Sequence, residues 1–63
     1  MPEKLAKRLC KLISWYNETK QESYYHYYMG YLLALQNSGL EVQIIRNEFV
    51  ICNGITYKVE DYK

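Results

Sequence analysis

The apolar residues of this chain change their spacing near Gly39, and that change constrains the fold more than any other feature. Before Gly39 they recur every three or four residues, which is typical of one face of an α-helix. After it, short runs are rich in β-branched and aromatic residues, which is typical of strands. A chain of 63 residues is long enough for one small domain. The sequence therefore predicts a single α+β domain over residues 1–63, with the helices first and the sheet second.

Two helical patterns precede Gly39. The first has its apolar face at Leu5, Leu9, Leu12, Ile13 and Tyr16, and the second, from about 20 to 37, has a stripe at Tyr24, Tyr28, Tyr31 and Leu35. Gly39 is a good C-terminal stop. Thr19-Lys20-Gln21-Glu22 matches a capping box, which favours a break at 17–19 and a helical hairpin. One long helix remains open as an alternative, because neither proline nor glycine interrupts the segment.

Three strands are predicted after Gly39, at 41–46, 48–52 and 55–59. Asn53-Gly54 is a strong hairpin signal, because a type I′ turn needs two residues with positive φ. The turn around 46–48 is less well defined. Together these features predict a three-stranded antiparallel β-meander.

Both faces of the middle strand are apolar. Phe49 and Ile51 point one way, and Val50 and Cys52 point the other. A sheet with one solvated face should alternate apolar with polar residues. If the helices cover one face, then a second copy, another protein or the end of a helix should cover the other. We expect self-association, most simply as a homodimer.

Cys10 and Cys52 are the only cysteines. With no metal-binding spacing around them, the pattern favours two free thiols in a reducing cytoplasm, and a single disulfide is the alternative. The start of the chain lacks the features of a signal peptide, and the uncharged run 23–40 is too polar to span a bilayer. We therefore expect a soluble cytoplasmic protein that does not act at a membrane.

Five of the eight tyrosines lie within residues 24–31. Tyrosine combines a large contact area with a polar tip and is enriched at binding surfaces. We expect Tyr25 and Tyr27 to be exposed contact residues. The residues predicted to be buried and to hold the domain together are Tyr24, Tyr28, Tyr31, Leu35, Phe49 and Ile51. Base stacking on this run is disfavoured, because residues 21–37 contain no lysine or arginine.

A basic strip follows one face of the first helix, opposite its leucines. It consists of Lys4, Lys7, Arg8 and Lys11, with Trp15 at its edge. The strip is either ordinary solvated surface or a docking surface for an acidic protein patch or a phosphate backbone, with Trp15 as an apolar anchor.

Ser23, Gly30 and Ala34 form a strip of small residues on the second helix, which predicts close packing against the first helix or against a second copy. His26 is expected to be solvated. The sequence contains no nucleophile motif, phosphate-binding loop or zinc spacing, so we predict neither an enzyme nor a cofactor.

The segment from Tyr28 to Val42, together with Asn53 to Val59, resembles short proteins of phages and prophages of Gram-positive bacteria. The resemblance implies a protein that acts in the bacterial cytoplasm by binding a host protein, as an inhibitor of a defence system or of a replication or transcription factor. No functional residue is carried over from it.

The predicted function is therefore non-catalytic binding of another protein. The candidate contact residues are Trp15, Tyr25, Tyr27, Lys4, Lys7, Arg8 and Lys11. The alternative is a small nucleic-acid-binding regulator that uses the basic strip.

Overall fold

A computed structural model describes residues 2–62 of the chain. Two helices come first, α1 (Pro2–Thr19) and α2 (Glu22–Asn37). Three strands follow, β1 (Val42–Ile45), β2 (Phe49–Cys52) and β3 (Ile55–Lys58), and a short 3₁₀ helix, η1 (Val59–Tyr62), comes last. The predicted α+β class is confirmed, and the helical part is a hairpin rather than one long helix.

The break between the helices lies at Lys20 and Gln21, slightly later than the predicted 17–19. Lys20 adopts φ 58°, which reverses the chain direction without a glycine. The predicted capping box is wrong. Thr19 is instead the last residue of α1, where its hydroxyl donates to the Trp15 carbonyl at 2.9 Å, and Gln21 caps α2 with no side-chain hydrogen bond.

The strands form one antiparallel sheet in the order β1-β2-β3, so the predicted meander is confirmed. Asn53 and Gly54 both have positive φ, as a type I′ turn requires. The structure defines the turn between β1 and β2, which the sequence pattern did not. Arg46 and Asn47 also adopt positive φ, and the Glu48 N–H donates to the Ile45 carbonyl at 2.9 Å.

Both helices lie on one face of the sheet, where they enclose the core. Its most deeply buried larger side chains are Leu9, Ile13, Val42, Val50, Cys10 and Cys52. Both cysteines are free thiols, as favoured. No helix within residues 2–62 has the length and apolar character needed to cross a membrane.

The predicted core is correct in part. Tyr28 and Leu35 are buried, and Tyr31 is half-buried against the core. Tyr24 is half-buried outside it. The expectation that Phe49 and Ile51 hold the domain together is wrong, because the helices cover the Val50 and Cys52 side of β2 instead.

The outer face of the sheet carries Ile45 beside its cross-strand neighbour Phe49, with Ile51 two residues along β2. No helix of the described chain covers this face, so of the three alternatives the end of a helix is excluded, and a second copy or another protein stays a prediction. The small-residue strip is also exposed. A methyl group added at Gly30 would meet no atom within 4 Å, so its predicted packing against α1 is wrong as well.

Candidate functional site on the helical hairpin

Aromatic rings from both helices meet at the bend of the hairpin. The last turn of α1 supplies two rings and the first turns of α2 supply four, because the two-residue bend brings these turns side by side. We name this group the aromatic cluster. It consists of two contact groups, one formed by Trp15 and Tyr24 and the other by Tyr16, Tyr25, His26 and Tyr28.

The contacts within the aromatic cluster have the tilted and edge-on geometry that aromatic rings prefer. The Trp15 and Tyr24 ring centroids are 5.8 Å apart. Tyr16 meets Tyr28 at 5.7 Å, and Tyr25 meets Tyr28 at 5.4 Å. Tyr28 therefore lies at the centre of one side of the cluster, in contact with a ring from each helix.

Tyr28 also ties the cluster to the sheet. Its side chain is 2% exposed, and its hydroxyl donates to Asn47 Oδ1 at 3.2 Å. The Asn47 carbonyl in turn accepts from Asn17 Nδ2 at 2.8 Å. Burial raises the pKa of Tyr28 above its ordinary value, so the hydroxyl keeps its proton at neutral pH and remains a donor. Tyr28 is therefore anchored to the turn before β2, and the rings of Tyr16 and Tyr25 pack against it.

The three aromatic residues predicted to make contacts are all exposed. Trp15 is 39% exposed, Tyr25 41% and Tyr27 66%. The structure brings Trp15 and Tyr25 into the aromatic cluster, on its two sides. Tyr27 is the most exposed and is not one of the rings that meet there within residues 2–62.

Two lysines from outside the tyrosine run flank the aromatic cluster. Lys11 Nζ lies 5.7 Å from the centroid of the Trp15 ring, and Lys20 Nζ lies 5.6 Å from that of Tyr16. Both are cation–π contacts. Lys20 lies directly before the segment 21–37, whose lack of lysine and arginine argued against base stacking. The signal that could have found both was the i, i+4 spacing of Lys11 with Trp15 and of Tyr16 with Lys20.

The basic strip leads away from the aromatic cluster along the solvent side of α1. Lys4, Arg8 and Lys11 are exposed. Lys7 forms an ion pair with Glu3, in which Lys7 Nζ lies 2.8 Å from Glu3 Oε1. This contact raises the pKa of Lys7 and lowers that of Glu3. Lys7 is therefore the member of the strip least available to a partner.

Exposed apolar side chains that the sequence did not single out include Leu33 at 55% and Ile55 at 58%. Leu33 shares the outward face of α2 with His26 and Gly30.

No three or more histidine, cysteine or carboxylate side chains in the described chain are grouped closely enough to hold a metal ion.

Comparison with known proteins found no matching family model, no matching curated protein and no matching solved structure.

Proposed function

We propose that this protein acts by binding another protein through the exposed rings of the aromatic cluster. The observation that carries the proposal is that Trp15 and Tyr25 are exposed while their rings pack against neighbouring tyrosines, beside two lysine ammonium groups. Trp and Tyr provide much of the binding energy at protein interfaces when they occupy partner pockets. A ring already held in place loses little conformational entropy on binding.

The charge around the aromatic cluster defines what kind of partner surface it fits. Lys11 and Lys20 lie over its rings, and Arg8 and Lys4 continue the positive charge along α1. A complementary partner presents apolar pockets bordered by carboxylates, because such charge pairs steer association and fix its orientation. In line with the phage-type resemblance, we propose a host protein as the partner and a stoichiometric, inhibitory action in the bacterial cytoplasm.

Capture of partners from the lysate of a Gram-positive bacterium tests this proposal. A tagged protein should retain a specific partner, and Trp15→Ala or Tyr25→Ala should reduce its capture at least tenfold, as removing an interface hot spot does. Ile55→Ala is the matched control, because Ile55 is an exposed apolar residue on the sheet. Equal capture by the wild type and the two hairpin variants would contradict the proposal.

Nucleic-acid binding is the second candidate, and the two cation–π contacts favour it because they place positive charge beside stackable rings. In that case single-stranded RNA or DNA should bind with a logarithmic salt slope of about −2 to −3, since three basic residues of the strip form no ion pair within residues 2–62. Alanine at Lys4, Arg8 and Lys11 should abolish that binding. Binding that is insensitive to salt would eliminate this candidate.

A further inference from the structure

A cleft lies beside the sheet, next to the C-terminal end of α1. Its volume is about 480 Å³, within the range of small-molecule and side-chain sites. The end of α1, the turn before β2 and the junction of β3 with η1 form its walls. The lining residues that matter here are Ser14, Glu18, Glu48, Phe49, Lys58 and Glu60.

The cleft is acidic. Three carboxylates and one ammonium group line it, which gives a local charge of −2, and none of the four forms an ion pair within residues 2–62. The carboxylates come from three different elements and are not grouped as metal ligands are. Their separation suits an extended, multidentate cation better than a compact metal ion.

Ser14 is an independent sign of a ligand. The residue is 2% exposed and lines the cleft, and its hydroxyl makes no hydrogen bond within the described chain. No side-chain oxygen of those residues is both sealed from solvent and without a partner. The Ser14 hydroxyl therefore opens into the cleft, with its hydrogen-bonding capacity unused.

The walls of the cleft are already fixed in position. Asn17 donates to the Asn47 carbonyl at 2.8 Å, which holds the end of α1 against the turn before β2. The Val59 N–H donates to the Glu48 carbonyl at 2.9 Å, which holds η1 against the same turn. A ligand would therefore meet a formed site rather than one that it has to assemble.

We propose that this cleft binds an arginine side chain of the protein partner. A planar guanidinium has five donors, enough to serve separated carboxylates and the Ser14 hydroxyl together. Its aliphatic stem can lie along Phe49, and the Lys58 ammonium can donate to a carbonyl of the partner backbone. The assignment rests on the proposed function only in taking the partner to be a protein.

N-acetyl-arginine amide and N-acetyl-citrulline amide are suitable probes, because they have nearly the same shape and differ in charge. In NMR titrations of the full chain, the arginine probe should shift the amide signals of Ser14, Glu48, Phe49 and Glu60 at millimolar concentrations. The citrulline probe should not shift them at the same concentrations. Equal shifts by both probes, or no shift by either, would overturn the proposal.

Charge variants of the cleft test the assignment further. Glu48→Gln combined with Glu60→Gln should weaken binding of the arginine probe about tenfold, since two attractive charges are removed. Lys58→Gln should strengthen it by about twofold to threefold, because it removes the one repelling charge. Glu41→Gln is the matched control, as Glu41 is an exposed carboxylate that does not line the cleft. An effect of Glu41→Gln as large as that of the double variant would overturn the proposal.

Two more measurements complete the test. The first distinguishes an arginine side chain from a free polyamine, and the second distinguishes binding in the cleft from binding through the aromatic cluster. Spermidine should bind more weakly than the arginine probe, and tighter spermidine binding would overturn the assignment in favour of a free polyamine. Trp15→Ala should leave the affinity for the arginine probe unchanged. The two proposals are therefore tested independently. If the probes do not bind the cleft, the proposal of partner binding by the aromatic cluster is unaffected. If no partner is captured, the result with the probes is unaffected.

Discussion

Asn47 connects three parts of the molecule. Its backbone has φ 56° in the turn before β2, its side-chain oxygen accepts from Tyr28, and its carbonyl accepts from Asn17. Asparagine tolerates the left-handed region better than most residues, and its amide oxygen reaches the buried tyrosine. Asn47 therefore lines the cleft and is hydrogen-bonded to the Tyr28 hydroxyl of the aromatic cluster.

Substitutions at Asn47 should separate backbone strain from the lost hydrogen bond. Asn47→Gly removes the bond to Tyr28 but tolerates the positive φ, so we expect a loss of about 1 kcal/mol in the free energy of unfolding. Asn47→Ala adds left-handed strain of about 1 kcal/mol. Urea denaturation measures both, and Tyr28→Phe is the control for the hydrogen bond. Equal stability of the glycine and alanine variants would contradict this interpretation of the turn.

Because the Cys10 thiol is buried, we expect the free energy of unfolding to fall at alkaline pH. Burial raises the pKa of Cys10 from 9.0 to about 11, because the thiolate is poorly solvated in the core. A folded pKa above the unfolded one means that the folded chain holds the proton more tightly. The resulting stability is fully present below pH 9 and is lost as the pH rises towards about 11.

Denaturation at several pH values between 9 and 11 measures this loss. Cys10→Ala should be less stable at neutral pH, because it leaves a small cavity, but its stability should fall less steeply with pH. Burial also raises the pKa values of Tyr28 and Tyr57, and both tyrosines are present in each protein, so their contributions cancel in the comparison. Parallel pH profiles for the two proteins would show that the thiol does not titrate as proposed.

At the scale of the element, α2 presents an outward face without charge. Residues 23–40 contain no aspartate, glutamate, lysine or arginine, and Tyr27, Gly30 and Leu33 all face solvent. The helix is held by its inner residues Tyr28, Leu32 and Leu35. Its outward residues are therefore free to change with little effect on the core.

Gly30→Ala should stabilise the protein. An added methyl group meets no atom within 4 Å, and alanine is favoured over glycine in a helix interior by up to about 1 kcal/mol. Ala34→Gly is the matched reverse change one turn later on the same exposed face, and it should destabilise by a similar amount. Thermal unfolding at low concentration measures both. A destabilised Gly30→Ala variant would show that another backbone contacts this helix closely, as in a dimer built on the small-residue strip.

At the scale of the whole molecule, the open sheet face bears on self-association. Three strands of four residues cover roughly 200 Å². A stable interface needs about 800 Å² from each partner. Packing two such faces together is therefore enough for a weak dimer and too little for a permanent one.

We accordingly expect a monomer at low micromolar concentration and a dimer that forms in the high micromolar range. Ile45→Lys should shift the protein to the monomer, because it places a charge on the apolar part of the outer face, beside Phe49. Ile55→Lys should not, as Ile55 is paired with Cys52 on the other side of the sheet. Sedimentation velocity across a concentration series measures the effect. A dimer that survives Ile45→Lys would place the contact elsewhere.

The sequence by itself determined the local structure. Helical spacing before Gly39 predicted helical structure, with a hairpin favoured over one long helix, and β-branched runs after Gly39 predicted three strands. Asn53-Gly54 predicted one turn through its tolerance of positive φ. These features depend on neighbours a few residues away, so they are readable from the chain. The exposure of Trp15, Tyr25 and Tyr27 was predictable for the same reason, since each lies off the apolar stripe of its helix.

Tertiary structure alone decided how those elements meet. The middle strand is apolar on both faces, so its pattern could not indicate whether Val50 or Phe49 would face the helices. From the sequence, Thr19 could begin α2 or end α1. In the structure it ends α1, because the chain turns back against α1 directly after it. The aromatic cluster and the acidic cleft unite residues from distant parts of the chain. Such groupings depend on which faces are buried together, and spacing along one element carries no information about its neighbour.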